Sequence, residues 1–108
     1  MGRKSGFRRQ LLRGLASQLI QHEKVKTTFP KAKECARFTE RLITKAKRDD
    51  LNARRAVARD IRDREVQRKL FDVLIKRYTS RVGGYTKVFR MPPRQGDNAD
   101  MAVIKLIS

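Results

Sequence analysis

The side chains best suited to chemistry in this sequence are phosphate-binding groups, concentrated between His22 and Glu34. The stretch HEKVKTTFPKAKE holds two adjacent threonines and four lysines: Thr27, Thr28, Lys24, Lys26, Lys31 and Lys33. Lysines neutralise phosphates, and threonine hydroxyls bond phosphate or sugar oxygens. The N-terminus of a helix adds free backbone N–H groups. The stretch therefore indicates a phosphate-binding surface, with a solvated charged face as the open alternative.

Further cations recur every four residues after this stretch, at Lys33, Arg37, Arg41 and Lys45. In a helix, each step of four residues rotates by only about 40°. These side chains are therefore expected to form a slowly winding basic stripe opposite an apolar face. We expect one continuous surface to include the strand lysines and the first helical cations, namely Lys24, Lys26, Lys31, Lys33 and Arg37.

The charge balance points to a polyanion as the partner. The 108 residues contain 28 Lys+Arg and 11 Asp+Glu, a formal net charge of +17. A domain of this size suffers strong self-repulsion unless a polyanion neutralises it. No apolar run approaches the roughly 20 residues of a membrane span, and no signal-peptide pattern follows the basic start. One cysteine excludes an internal disulfide, so we expect an intracellular nucleic-acid-binding protein.

Catalytic and metal-binding groups are missing from the sequence pattern. His22 is the single histidine and has no partner at ligand spacing, so a packed or RNA-stacked imidazole is expected. Cys35 lies on an apolar helix face and is expected to fill the core. Carboxylates are dispersed among arginines, without a pair that would hold Mg²⁺, and Asp97 and Asp100 are expected to form a turn. We predict no enzyme activity, cofactor or small-molecule substrate.

The predicted elements begin with helices. Apolar residues three and four apart predict an amphipathic helix over 7–20, and residues 24–28 alternate as in a short strand. Pro30 suits the first turn of a second helix that continues to about Arg48. A third helix is predicted from about Leu51 to Ile61, and Asp63 can cap a fourth.

The C-terminal part predicts a strand pair. Gly83 and Gly84 end the helical region, and strands follow over 85–91 and 101–107, joined by the turn-rich loop RQGDNAD. An antiparallel pair is expected. The predicted fold class is α+β, with about four helices and a small sheet formed by the short strand after the first helix and this pair. A short basic arm, residues 1–6, is predicted to precede a single domain, residues 7–108.

Three segments carry a family resemblance. LIQHEKVKTTFPKAKE, GGYTKVFR and RQGDNADMAVIKLI, in this order and spacing, resemble the bacterial-type large-subunit ribosomal protein seventeen family. The resemblance covers roughly residues 7–107. Three departures stand out. Only MGRKSG precedes the first helix, where the family usually has a longer basic arm, and a common Glu of the last strand is Lys105. The family's usual Ala-Pro-Met-Ala is Ala-Asp-Met-Ala at 99–102.

The resemblance implies a structural constituent of the large ribosomal subunit near the exit of the nascent-peptide tunnel, without catalytic activity. The implied partners are large-subunit rRNA and neighbouring ribosomal proteins, with one copy per ribosome and no membrane. The implied location is the ribosome of the bacterial cytoplasm, with an organellar ribosome as the alternative. The predicted RNA-binding residues are Arg3, Lys4, Arg8, Arg9, Arg13, Lys24, Lys26, Thr27, Thr28, Lys31, Lys33, Arg37, Arg41, Arg54, Arg55, Tyr85, Lys87 and Arg94.

Three alternatives remain open from the residues. Tyr85 could stack on a base, or it could be half-buried in the core. Composition would also permit a DNA-compacting protein, for which the strand pair over 85–107 could supply a groove-reading ribbon, although its loop is a poor clamp. An RNA-modifying enzyme or nuclease would need an acid/base pair or metal set that the sequence does not offer.

Overall fold

A computed structural model describes residues 5–108, and the side chains of residues 8–108. Arg3 and Lys4, two predicted RNA-binding residues, lie outside the described residues. The described part contains four helical segments and three strands: α1 (Ser5–His22), β1 (Lys24–Thr28), α2 (Phe29–Ala46), α3 (Leu51–Asp60), α4 (residues 64–77), β2 (Thr86–Met91) and β3 (Met101–Leu106). The predicted α+β class, with a small sheet that includes the strand after the first helix, is confirmed.

The helix boundaries follow from local chemistry. Helix α1 begins at Ser5, so Ser5 and Gly6, which were assigned to the arm, are helical. Asp50 accepts a hydrogen bond from the Ala53 N–H at 2.7 Å and caps α3. Asp63 accepts one from the Glu65 N–H at 2.9 Å, which confirms the predicted cap of α4. Capping of this kind satisfies backbone donors that have no partner within the helix.

Helix α4 has a mixed hydrogen-bond pattern. Its α-helical turns, Arg64–Lys69 and Ile75–Arg77, flank a π-helical segment, Leu70–Leu74. Leu70 and Leu74 are both fully buried, so the change in winding does not interrupt the apolar face of the helix. Sequence periodicity predicted the helix but not this local change in winding.

Helix α2 buries the apolar face that the sequence predicted. Thr28 is the N-cap, Pro30 lies in the first turn, and the helix ends at Ala46 rather than near Arg48. Asp49 has a φ of 51°, a left-handed conformation that α-helices do not continue. The buried residues are Ala32, Cys35, Ala36, Thr39, Leu42, Ile43 and Ala46.

The sheet has the order β1-β3-β2, with both pairs antiparallel. Val25, Ile104 and Val88 lie directly opposite one another on one face. Ala102 and Ile104 are fully buried, and they share a core with residues of α1 and α2 such as Leu19, Ile20 and Ile43. Both helices therefore cover this inner sheet face.

Glu23 joins three elements at the end of α1. It has a φ of 65°, and its N–H donates to the Leu19 carbonyl at 2.7 Å. Its carbonyl accepts from the Leu106 N–H of β3 at 3.0 Å. Its carboxylate binds Arg77 at 2.6 Å and Lys69 at 3.0 Å, both from α4. These contacts fix the relative positions of α1, β3 and α4.

Candidate nucleic-acid interface

The face of the sheet opposite the helices carries lysines in register. Because side chains alternate along a strand, the residues that come between those of the buried face form a second face, which we call the outer sheet face. Its three cross-strand rows are Lys24–Lys105–Lys87, Lys26–Val103–Phe89 and Thr28–Met101–Met91. All four lysines are exposed. The outer sheet face therefore presents a dense patch of positive charge.

The basic stripe of α2 lies on a different side of the molecule. Lys31, Lys33, Arg37, Arg41 and Lys45 are all exposed, opposite the buried side of the helix. Since α2 packs on the inner sheet face, its exposed side points away from the sheet, whereas the lysines of β1 project from the outer sheet face. The prediction of one continuous surface is therefore wrong. The strand runs directly into the helix at Phe29, and the reversal places the two sets on opposite sides of β1.

An aromatic ring holds two cations near the N-terminus of α2. The Phe29 ring lies 4.1 Å from the Arg90 guanidinium carbon and 5.5 Å from the Lys33 ammonium nitrogen, measured to the ring centroid. Cation–π attraction orients such groups. The Phe29 N–H donates to the Asp100 carbonyl at 2.8 Å, so the loop before β3 is tied to the start of α2.

The two threonines differ in position. Thr28 belongs to the outer sheet face, whereas Thr27 belongs to the inner one, and both are half-buried. The side chain of Thr28 does not cap α2. The Thr28 hydroxyl is therefore the better placed of the two for an external oxygen.

Several predicted RNA-binding arginines pair with carboxylates of the protein. Arg13 binds the buried carboxylate of Asp60 at 2.8 Å, and Arg9 approaches it at 3.4 Å. Arg8 lies 3.7 Å from Glu34. Arg13 is the most restricted, since its side chain is only 28% exposed. Its principal role in the fold is to neutralise Asp60, because a buried carboxylate without a partner is strongly destabilising.

Two more predicted residues form exposed ion pairs. Arg54 binds Asp49 at 2.6 Å, and its guanidinium lies 4.5 Å from the centroid of the Phe71 ring. Arg94 binds Asp97 at 2.7 Å within the loop between β2 and β3. Hydrogen bonds from Arg94 hold the pKa of Asp97 at about 2. The Asp97 carboxylate also accepts a hydrogen bond from the Ala99 N–H at 3.1 Å, which supports the predicted turn-forming role of this aspartate. Exposed pairs of this kind contribute little to stability, so both arginines can exchange partners.

The remaining predicted cations have no carboxylate within salt-bridge distance among the described residues. These exposed side chains are Lys24, Lys26, Lys31, Lys33, Arg37, Arg41, Arg55 and Lys87. No carboxylate of the described side chains neutralises their charge. An external polyanion would meet these groups first.

Tyr85 lies in the core. It is 1% exposed, its ring centroid is 5.1 Å from that of Tyr78, and its hydroxyl accepts a hydrogen bond from Lys47 at 3.2 Å. Of the two roles that the sequence left open for Tyr85, the structure gives it the core role. We therefore leave Tyr85 out of the candidate interface.

Cys35 and His22, the two side chains considered for catalysis or metal binding, are not arranged as a reactive site. Burial raises the pKa of the Cys35 thiol to about 11, so a thiolate is scarce at neutral pH. His22 is exposed at the end of α1. Among residues 5–108, no group of three or more His, Cys, Asp or Glu side chains is placed to hold a metal ion. None of the helices in this range combines the length and apolar character that a membrane crossing requires.

Sequence reasoning missed four residues of this surface and its support: Lys105, Phe89, Asp60 and Glu23. The first two could have been found from strict alternation along each strand. Lys105 follows the buried Ile104 and therefore lies on the other face, and Phe89 lies two residues after Lys87 on that same outer sheet face. Asp60 and Glu23 could not, since each binds cations at least 46 residues away in sequence. Periodicity does not report such distant pairs.

A small α+β domain with exposed, unneutralised cations on two sides belongs to the class of basic proteins that present charge to a polyanion. Comparison with known proteins gives the family. Residues 11–107 match the family model described as Ribosomal protein L17. The chain is 44% identical to the large ribosomal subunit protein bL17 of Endomicrobium trichonymphae over 108 residues, 100% of this chain and 92% of that protein.

Other bacterial relatives agree. The large ribosomal subunit protein bL17 of Anaeromyxobacter sp. (strain K) is 46% identical over 99% of this chain and 68% of its own length. That of Halothermothrix orenii is 41% identical over 99% of this chain and 94% of its own. The chain belongs to the ribosomal protein L17 family. This family is a structural, non-enzymatic one, which confirms the prediction that the chain is not an enzyme.

Proposed function

We propose that this protein is a structural constituent of the large ribosomal subunit that binds large-subunit rRNA through two basic surfaces. One is the outer sheet face, and the other is the stripe of α2 with Lys33, Arg37, Arg41 and Lys45. The observation that carries the proposal is the set of exposed cations that have no carboxylate partner among the described residues. Family membership supplies the ribosomal context.

The mode of binding that we propose is contact with backbone phosphates from two sides. Since the two surfaces point in opposite directions from β1, they would meet different rRNA segments rather than one groove. Binding of each segment would be favourable, because its phosphates neutralise lysines and arginines that otherwise repel one another. Such a protein would hold two parts of the folded rRNA in a fixed relation.

The geometry disfavours the DNA-compacting alternative. A groove-reading ribbon needs an extended hairpin with a free tip. Here the loop between β2 and β3 folds on itself: the Arg94 N–H donates to the Ala99 carbonyl, and the Asn98 N–H donates to the Arg94 carbonyl, each at 2.9 Å. The Phe29 N–H binds the adjacent Asp100 carbonyl. The internal bonds make the loop a short closed turn rather than an extended ribbon, and its base at Asp100 is tied to the start of α2.

We further propose a position near the exit of the nascent-peptide tunnel, in one copy per ribosome of the bacterial cytoplasm. The resemblance of the three sequence segments supports the position, and the bacterial relatives favour the bacterial ribosome over an organellar one. The neighbouring partners would be rRNA and adjacent ribosomal proteins. Photo-cross-linking from a short, newly emerged nascent chain tests the position, because a protein far from the exit would give no cross-link.

Salt dependence tests the proposed binding mode. If roughly 8 phosphates are neutralised, the logarithm of the affinity for large-subunit rRNA falls against the logarithm of salt concentration with a slope of about −6 to −7. Filter binding of the full chain at several salt concentrations measures this slope. A slope near zero would exclude a phosphate-dominated interface.

A further inference from the structure

The outer sheet face carries an exposed aromatic side chain among its lysines. Phe89 is 45% exposed and lies in a row with Val103 and Lys26. The Lys87 ammonium lies 5.9 Å from the centroid of its ring. Met91, two residues further along β2 on the same face, is also exposed, and contiguous exposed apolar side chains mark interaction sites. The ring is therefore a candidate contact for a flat, weakly polar group.

The lysines beside this ring repel one another in the free protein. Lys24, Lys105 and Lys87 lie directly opposite one another on three neighbouring strands. Strands are about 4.8 Å apart, and like charges opposite each other destabilise a sheet. The nine residues of the three rows include no carboxylate. A negatively charged ligand would relieve this repulsion.

A groove adjoins the aromatic row at the end of the outer sheet face. It has a volume of about 370 Å³ and is lined by Met91, Pro92, Pro93 and Met101, with Lys26, Arg94 and Gln95 completing the lining. Its walls are apolar and its flanking groups are cationic. This combination suits a base whose flanking phosphates contact the cations.

We propose that the outer sheet face binds unpaired nucleotides of RNA, with one base stacked on Phe89 and the flanking phosphates bound to Lys24, Lys26, Lys87 and Lys105. The inference rests on the proposed RNA-binding function and adds the type of RNA element that this face takes. An exposed aromatic on a sheet stacks on any base that is free of its helix, whereas a base inside a duplex offers no free face. The positive charge of the face argues against an apolar or basic protein segment as the occupant.

Binding of single-stranded oligo(A) RNA by the full chain tests the inference, with duplex RNA of equal length as the comparison. Phe89→Leu keeps an apolar side chain without a π face, and it is expected to weaken oligo(A) binding roughly tenfold with an unchanged salt slope. Phe89→Tyr restores the aromatic ring and is expected to bind like wild type. The matched control is Leu51→Ala at another exposed apolar residue, which is 64% exposed, and no change is expected.

The proposed contacts between lysines and phosphates are tested by the salt dependence of oligo(A) binding. The triple variant Lys24→Gln, Lys87→Gln and Lys105→Gln is expected to reduce the steepness of the salt slope for oligo(A) by about 2, because each lysine neutralises about one phosphate. Thermal unfolding verifies that each variant is folded. A loss of affinity without a change of slope in this triple variant would contradict phosphate contact.

The outcomes separate this inference from the proposed function. If Phe89→Leu binds oligo(A) as tightly as Phe89→Tyr, or if wild type binds large-subunit rRNA but not oligo(A), the inference is overturned and the proposed function stands. If Phe89→Leu binds both RNAs normally but fails to join large subunits, the face docks a neighbouring protein, and the inference is again overturned. If wild type binds neither RNA, both fail.

Discussion

At the scale of single residues, Glu23 shows how ion pairing supports the interface without touching a ligand. Its carboxylate joins the end of α1 to Arg77 and Lys69 of α4, while its backbone bonds to β3. Hydrogen bonds from Arg77, followed by those from Lys69, lower its pKa from 4.5 to about 2 despite partial burial. Together these bonds tie the end of α1 to β3 and to α4.

The depressed pKa of Glu23 predicts a pH-dependent contribution to stability. The contribution is fully present above pH 4.5 and is lost as the pH falls toward about 2, since protonation removes the charge that Arg77 binds. Glu23→Gln keeps the side-chain shape and is expected to cost about 0.5 to 1 kcal/mol near neutral pH, a range reduced for solvent screening. Urea unfolding of wild type and variant across pH measures the difference, which should shrink in acid. A difference that stays constant from neutral pH down to about 2 would contradict this role.

Residue-level roles were only partly accessible from the sequence. The buried set of α2, with Cys35 and Thr39 among it, follows from spacing alone. The ion pair between Arg13 and Asp60 does not follow from spacing, because the two residues are 47 positions apart. Tyr85 illustrates a further limit, since an aromatic after two glycines fits both a core and a surface position. Only the packing against Tyr78 decides between them.

At the scale of elements, the strand-to-helix junction decides which cations act together. Lys26 and Lys33 are close in sequence, yet α2 covers the inner sheet face and the lysine of β1 projects from the outer one. The sequence predicted β1 and α2 correctly, with Pro30 in the first turn. It could not predict which side of the sheet the helix would cover, because that depends on contacts with α1 and β3.

The α2 stripe can be tested by charge reversal. Lys33→Glu combined with Arg37→Glu is expected to leave the domain folded, because both side chains are exposed. Incorporation into large subunits should fall at least tenfold, since each reversal replaces attraction with repulsion at a phosphate. Quantifying the tagged variant in purified large subunits measures the effect.

A matched control uses two exposed arginines outside the predicted set. Arg62→Glu combined with Arg64→Glu makes the same change in net charge, and a glutamate at the first residue of α4 suits the helix dipole. This control should assemble much better than the α2 variant. Equal assembly by wild type and the α2 variant would show that the stripe is only a solvated face.

A charge reversal in the row Lys24–Lys105–Lys87 is expected to have opposite effects on stability and on RNA binding. Lys105→Glu places a carboxylate between Lys24 and Lys87, its direct cross-strand neighbours. Opposite charges across strands are stabilising, so the free protein should gain about 0.5 to 2 kcal/mol. RNA affinity should fall, because the carboxylate repels phosphate. Urea unfolding and filter binding of the same preparation measure both, and a change of stability and affinity in the same direction would contradict the model of the row.

At the scale of the whole molecule, the sequence predicts the basic character of the protein fully but its three-dimensional architecture only in part. A net charge of +17 on 108 residues predicts a polyanion partner, and spacing predicts the order of helices and strands. The sheet order β1-β3-β2 depends on pairing between residues far apart, such as Val25 and Ile104. That pairing creates the outer sheet face, so the aromatic and lysine cluster appears only in three dimensions.

The large-subunit assignment itself predicts where the protein is found in a cell. Sedimentation of a cell extract through a sucrose gradient, followed by detection of the tagged full chain, tests it most directly. We expect the protein to migrate with large subunits and with complete ribosomes, and to leave both fractions at high salt because its contacts are with phosphates. Recovery with DNA, or only among free proteins at the top of the gradient, would contradict the assignment.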